Sequence, residues 1–518
     1  MTDLIIKLAM LIVFFGVMVG IGLYCRRHAT DVNGFVLGGR SVGPWLTAFA
    51  YGTSYFSAVV FVGYAGQFGW KYGIAATWAG LGNAFLGSLL AWAVLGRRTR
   101  VMTQHLDSAT MPEFFGKRFG SKALKLCASV IIFIFLIPYT ASLYNGLSRL
   151  FAMAFDIDYS VCVIVMAVLT GIYVIAGGYM ATAINDFIQG IIMIFGISAV
   201  IVAVLKGQGG FLQALQNLAQ VSDETVSSAP GVFASFFGPD PVGLLGVVLL
   251  TSLGTWGLPQ MVQKFYAIKS ESAINKGMII STIFAVIVAG GCYFLGGFGR
   301  LFSDKIDIAA GGYDSVIPTM LSGLPTLLIA VVVILVLSAS MSTLSSLVLA
   351  SSSTLTLDFI KDNMIKNMDE KRQVRWMRSL VVVFIVISVV LALIQYKSSV
   401  TFIAQLMGVS WGALAGAFLA PFLYGLYWKR TTKAACAVSF LFSTVEMLAN
   451  LFARASFPAL LQSPITCGAF CMIAGLVIVP VVSLITKAPA SERVEKVFSC
   501  YNRQVTVSVK DSIGEQTN

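Results

Sequence analysis

Five serines and a threonine fall within nine residues, Ser338-Ala339-Ser340-Met341-Ser342-Thr343-Leu344-Ser345-Ser346, in an apolar stretch that begins at Thr326. In hydrocarbon each hydroxyl needs a partner, so such a cluster must face protein, water or an ion. At 3.6 residues per turn, Ala339, Ser342, Thr343 and Ser346 share a face, and Ser345 sits on its edge one turn beyond Ser342. Hydroxyl and freed carbonyl oxygens are hard ligands, suited to a small alkali cation. Two readings fit. One is close packing of two membrane helices through small residues, each hydroxyl bonded one turn back; the other adds coordination of an ion.

Other apolar stretches carry polar residues as well. Ala50-Tyr51-Gly52-Thr53-Ser54-Tyr55-Phe56-Ser57-Ala58 places glycine, hydroxyls and aromatics at mid-membrane depth. Thr251-Ser252-Leu253-Gly254-Thr255-Trp256-Gly257-Leu258-Pro259-Gln260 carries glycines and a proline that open a helix and release carbonyls. In Gly177-Gly178-Tyr179-Met180-Ala181-Thr182-Ala183-Ile184-Asn185-Asp186-Phe187-Ile188-Gln189 a carboxylate stands where a span begins. Asp186 either caps that helix or faces inward as an anionic ligand.

The elements that position these residues are membrane spans. At 57% hydrophobic and 11% charged over 518 residues, the chain reads as one polytopic membrane domain. The expected spans are 5–24, 44–66, 73–95, 125–150, 159–180, 187–206, 243–263, 277–298, 320–352, 375–394, 399–427, 434–454 and 463–486, an all-α protein of about thirteen transmembrane helices. Residues 8–24 read as a first span rather than a removed leader. The net charge of +12 is spread over short loops, which argues against nucleic acid as a partner. Of the 35 basic residues, 27 fall on alternate loops of one side, Lys264, Lys269 and Lys276 among them. By the positive-inside rule the amino terminus is outside and the carboxyl terminus cytoplasmic, in a cell membrane. No lysine or arginine is expected at the midplane. Met111-Pro112-Glu113-Phe114-Phe115 reads as a short interfacial helix, 207–242 as an outer loop with some helix, and the tail from Ala488 as polar and mobile.

Eight scattered cysteines lack metal-ligand spacing, and the two histidines, His28 and His105, lie in basic loops. No phosphate-binding Gly-x-x-x-x-Gly-Lys-Ser/Thr loop is present, which argues against an ATP-driven pump. Neither feature favours an enzyme. Two interrupted spans, 44–66 and 243–263, open corresponding halves of the chain, the signature of a transporter built from inverted repeats. The expected organisation is 1–43 first helix and cytoplasmic loop, 44–206 first repeat, 207–242 outer loop, 243–427 second repeat, 428–487 two further helices, and 488–518 tail.

Phe35-Val36-Leu37-Gly38-Gly39-Arg40-Ser41, then Gly177-Gly178 with Asp186 and Gln189, then Ala339 with Met341-Ser342-Thr343-Leu344-Ser345 follow one another in the chain. In that order, over roughly residues 5–487, they resemble the sodium:solute symporter family, whose members carry proline, pantothenate, sugars, sialic acid and monocarboxylates. The resemblance implies a leucine-transporter-type 5+5 inverted repeat. It implies a sodium site of the carbonyls of Thr53, Phe56 and Ala339 with the hydroxyls of Ser342 and Thr343. It also implies positions for a second sodium at Asp186, Ser342, Ser345 and Ser346, which turns Asp186 toward the ligand or gate reading. Sodium is the only metal expected. Tyr55 stands where the bacterial proline carriers have an aspartate.

The expected function is sodium-coupled import of a small organic solute, an amino acid such as proline or a small carboxylate such as pantothenate or a monocarboxylate. Its pocket would use Tyr51, Tyr55, Ser57, Trp256 and Gln260, with Tyr64 a further aromatic. The alternatives are a sugar symporter or, from another class, a channel or a non-transporting solute sensor. Membrane lipid surrounds the protein, and nothing in the sequence calls for an obligatory protein partner.

Overall fold

The computed structural model describes residues 2–155, 158–227, 229–365, 368–398 and 403–502. Lys366, Arg503 and Lys510, counted among the expected cytoplasmic charges, lie outside these. Among the described residues every regular element is helical, with only two isolated β-bridges, Val42 with Ile268 and Asp223 with Ser227. The principal helices are α1 (Thr2–Cys25), α2 (Pro44–Tyr55), α3 (Lys122–Phe155), α4 (Tyr159–Gly207), α5 (Pro241–Gly257), α6 (Pro259–Ala267) and α7 (Ser272–Ala285). After them come α8 (Thr326–Thr354), α9 (Glu370–Ser398), α10 (Ile403–Tyr427), α11 (Lys433–Ala453), α12 (Pro464–Ile485) and α13 (Ser491–Phe498).

Ten helices among the described residues are long and apolar enough to cross a membrane, and the bent pair α5/α6 raises that to 11. The helical runs Val59–His105 and Tyr159–Gly207 count once each, although they are 47 and 49 residues long. At 1.5 Å per residue each would reach about 70 Å, more than twice the hydrocarbon thickness. The burial pattern is that of a membrane protein: Ile12, Phe195, Val202 and Ile485 face outward, while serines, threonines and a few charged side chains, Asp186 and Lys264 among them, lie in the interior. α8 is central, with 78% of its span buried against 22% for α1. α2, α3, α4 and α6 all pack on it.

Three breaks shape this core, two of them in the spans whose irregular sequence predicts an interruption. α2 starts with Pro44 behind an extended Gly43 and stops at Phe56, whose φ/ψ of −85/112 is extended. The helix resumes with wide π-type turns at Val59. α5 ends at Leu258 (φ/ψ −80/125), because Pro259 forces its predecessor out of the helical region and then becomes the first residue of α6. The two halves meet at 46°. In α4 the break is Gly178, at φ 56 and ψ −146. A Cβ there would stand 2.8 Å from the Phe35 carbonyl oxygen, so only glycine fits. Beyond Gly178 the helix continues without a loop, which places Asp186 inside α4 rather than at a helix start. The capping alternative for Asp186 is therefore set aside.

A short pin joins the two broken spans. Gly38 and Gly39 take left-handed φ values of 57 and 67 and turn the chain sharply. Arg40 then donates to the carbonyls of Ser108 (2.7 Å), Tyr266 (3.1 Å) and Thr103 (3.4 Å). Val42 pairs with the end of α6 through Lys269 N to Val42 O at 2.9 Å and Val42 N to Ala267 O at 3.3 Å. The start of α2 and the end of α6 are thus held together.

The helix Met111–Phe119 forms as expected, capped by Thr110, which accepts from Glu113 N while Glu113 accepts from Ala109 N. Its apolar face rests on protein, with Phe115 against Phe440 and Phe114 against Phe422. Arg118, buried there, donates to the carbonyls of Gly425 and Trp428 around the carboxyl end of α10, where a cation is favoured. Burial pulls its pKa down to about 10, still fully charged near neutrality. The segment 207–242, expected to be a loop with some helix, contains the helix Phe211–Ala219.

The tail expectation fails in part. α13 presents Val494, Val497 and Phe498 inward at helical spacing and docks on the loops before it. Arg493 donates to Phe119 O, Tyr501 to Arg98 O, and Arg118 lies over the Phe498 ring. Eight residues are too few for a helix on its own, so this contact supplies its order.

Candidate functional site

The breaks bring five sequence-predicted residues to one point. Thr343 Oγ1 lies 3.0 Å from Thr53 O, 3.1 Å from Ala339 O and 3.4 Å from Phe56 O. Ser342 Oγ lies 3.2 Å from Thr53 O and 3.1 Å from Ala339 O. The helix stop at Phe56 is the reason Thr53 O and Phe56 O are free to face α8. The proton count is short. Each hydroxyl has one hydrogen, so two hydrogens face five oxygen–oxygen approaches to three carbonyls. A cation set among these oxygens would remove the shortfall, and an all-oxygen set suits a hard ion. The residues therefore fit a small alkali cation.

A second cluster lies one turn further along α8. Ser346 Oγ is 3.0 Å from Lys264 Nζ and 2.9 Å from Ser54 Oγ, and Ser54 Oγ is 2.5 Å from Ala50 O. Lys264 Nζ also stands 3.8 Å from Asp186 Oδ2 and 5.1 Å from the centroid of Tyr179. Asp186 is wholly buried, and neither of its oxygens accepts a hydrogen bond. Ser345 Oγ turns back to Ser342 O at 2.9 Å, and Tyr173 donates to Met341 O at 2.8 Å. Of the four positions Asp186, Ser342, Ser345 and Ser346, Asp186 and Ser346 meet through Lys264, while Ser342 and Ser345 make the bonds just given.

Lys264 corrects the sequence reading. It was counted with loop charges, and no lysine was expected in the core. It is 2% exposed on α6, because the bend at Leu258 carries the span on to Ala267 in the interior. The signal that finds it is Asp186 itself: a carboxylate inside a membrane protein calls for a cationic partner.

The five expected pocket residues are all buried, but they divide. Tyr51 donates to Gly87 O at 2.8 Å and Trp256 to Leu86 O at 2.9 Å, so both bond a neighbouring helix. Thr255 also reaches Gly87 O. Tyr55 Oη, Ser57 Oγ and both polar atoms of Gln260 have no protein partner, nor does Thr53 Oγ1. A buried polar atom left unmatched costs about 1–3 kcal/mol, so this group is the part that a polar solute would satisfy. Tyr64 Oη is likewise unmatched, and Tyr139, stacked edge-on to Trp411 at 5.9 Å, is a further aromatic that sequence reasoning passed over.

A model of the sodium:solute symporter family matches residues 35–442. The chain is 28% identical over 482 residues to the osmoregulated proline transporter OpuE of Bacillus subtilis, covering 92% of this chain and 94% of that one. It is 30% identical over 439 residues to a sodium/proline symporter of Staphylococcus aureus, covering 82% of each. Among solved structures, a Na+-coupled sialic acid symporter in a substrate-bound outward-open state superposes with a TM-score of 0.72. That match has 16% identity, covers 94% of this chain and 99% of the other, and shows a shared fold.

Proposed function

Since the chain belongs to the sodium:solute symporter family, we propose that it imports a small zwitterionic or anionic solute, proline first, with sodium bound between α2 and α8. The observation that carries this reading is the convergence of the Ser342 and Thr343 hydroxyls on the carbonyls of Thr53, Phe56 and Ala339. Sodium among these oxygens ties the broken end of α2 to α8. The solute then enters between α2 and α6, where Tyr55, Ser57 and Gln260 supply polar atoms. Its carboxylate meets the positive charge of the bound ion and the amino end of α6 at the break. Coupling follows if sodium binds one conformation, or the solute-loaded form, more tightly, because equal affinity shifts nothing. The membrane potential adds about 2.3 kcal/mol per charge per 100 mV.

Counting the 47- and 49-residue runs as two crossings each turns eleven spans into thirteen, with the amino terminus outside and the carboxyl terminus cytoplasmic. Spans 2–6 and 7–11, over 44–206 and 243–427, form the inverted repeats in this reading. Its support is that α2 and α5/α6, the broken helices, open the two halves. The outer loop 207–242 and the last two helices, within 428–487, lie outside the repeats.

A neutral sugar is the second reading, favoured because the unmatched pocket atoms all belong to uncharged groups. The test is competition of unlabelled solutes against labelled proline uptake in proteoliposomes under an inward sodium gradient. Proline saturating in the micromolar range supports the zwitterion reading; sodium-driven uptake of a sugar alone, with proline inert, replaces it. Sodium current with no solute dependence would indicate a channel, and solute binding without uptake a sensor.

A further inference from the structure

We propose that the ammonium group of Lys264 fills the second cation position as a built-in charge, so that this transporter binds one sodium ion per cycle. The inference rests on the sodium-coupled reading above and sets its stoichiometry.

The two hydroxyl clusters differ in their protons. In the first, acceptors outnumber hydrogens. In the second the hydroxyl hydrogens have places: Ser54 gives its own to Ala50 O, Ser346 gives its own to Ser54 Oγ, and Lys264 donates to a lone pair of Ser346. Lys264 Nζ also stands 3.8 Å from Asp186 Oδ2 as its counter-charge, and neither carboxylate oxygen accepts a hydrogen bond. The Tyr179 ring, 5.1 Å away at its centroid, gives the ammonium a third favourable neighbour. The cluster thus already holds a cation, one that is fixed to the chain.

A sodium ion in contact with Ser346 Oγ would lie within about 5 Å of Nζ, the sum of a metal–oxygen bond and the 3.0 Å hydrogen bond. Two like charges at that distance in a protein interior repel, and the carboxylate that would attract the ion already faces Lys264 at 3.8 Å. The same ammonium ties α6 to α4 through Asp186 and to α8 through Ser346, with Ser54 carrying the chain on to α2. It therefore stands where the broken helices meet, and an ion bound at the first cluster is the one that comes and goes.

The experiment counts 22Na+ bound at saturation to the purified full-length protein, with sodium titrations of the wild type, Lys264→Met, Lys264→Met with Ser346→Ala, and Asp186→Asn. The expected result is one ion per wild-type chain with a Hill coefficient of 1. Lys264→Met should bind two, with the Hill coefficient rising toward 2, and adding Ser346→Ala should return the count to one. Asp186→Asn in the wild-type background should still bind one ion, which keeps the test open if Lys264→Met fails to fold. Two ions on the wild type, a count that Asp186→Asn lowers, or a folded Lys264→Met that still binds one, would each overturn the proposal while leaving sodium coupling intact. No sodium bound to the wild type would overturn the coupling reading itself, and this proposal with it.

Discussion

Replacing Thr343 by valine removes one oxygen and keeps the side-chain volume nearly constant. That oxygen lies within 3.4 Å of three carbonyls, from Thr53, Ala339 and Phe56, more than any other hydroxyl in the cluster reaches. If sodium sits among them, the substitution deletes a ligand to a charged group, worth about 1.5–3 kcal/mol. The expected consequence is a rise of about 10- to 150-fold in the sodium concentration for half-maximal uptake. Maximal uptake at saturating sodium should change much less. Thr343→Ser restores the oxygen and should stay within about threefold of the wild type. The assay is the sodium dependence of solute uptake in proteoliposomes at clamped potential. If Thr343→Val shifts half-saturation by less than twofold while its maximal rate holds, the hydroxyl is only a packing contact and the reasoning from convergent oxygens is wrong.

Other parts of the molecule carry their own expectations. Gly178→Ala forces a side chain into φ 56 and against the Phe35 carbonyl, so it should cost about 1–3 kcal/mol and lower the yield of folded protein on gel filtration. Asp358, buried beside Lys125 at 3.2 Å and accepting from Thr110 at 2.5 Å, ties the end of the α8 span to the loop before α3. Asp358→Ala should destabilise by about 1–3 kcal/mol, less than a wholly buried pair because Lys125 keeps Asp362 at 2.8 Å. Asp362→Ala, which removes the more exposed partner, should cost under about 1 kcal/mol in the same thermal melts. In the 207–242 segment, hydrogen bonds from Thr225 and from Arg300 hold the Asp223 carboxyl below its usual range. A native pKa depressed in this way stabilises above the ordinary carboxylate value of about 4 and loses that contribution as pH falls through the lower native value. Melting curves of the wild type and Asp223→Asn should therefore differ near neutrality and converge as pH falls through the lowered native value.

The first oxygen cluster was legible because polar atoms in hydrocarbon are costly and have few innocent uses. A run such as Ser338–Ser346, or a proline in mid-span, stands out against its apolar surroundings. The same logic points to the interruptions near Phe56 and Leu258; the kink at Gly178, inside one continuous helix, is not read from the sequence. Lys264 was not legible by charge alternation alone. A lysine near the end of a span resembles any cytoplasmic loop charge until the bend at Leu258 is known to carry α6 inward, and only the unpaired Asp186 argued otherwise. α13 escaped for the opposite reason. Its Val494, Val497 and Phe498 form a legible stripe, but a helix that short exists only through contacts with Phe119 and Arg118 that are distant in sequence. The pocket was half legible: residue type pointed to Tyr51 and Trp256, yet their polar ends are already bonded to Gly87 and Leu86.

The central claim, that ion and solute share one cycle through the cluster between α2 and α8, is tested most directly by solute-driven 22Na+ entry into proteoliposomes. An inward proline gradient, with no sodium gradient, should draw sodium in with the wild type and fail to do so with the Ser342→Ala/Thr343→Val double variant. Solute entry that leaves 22Na+ unmoved, or a double variant that still moves both together, would contradict the account.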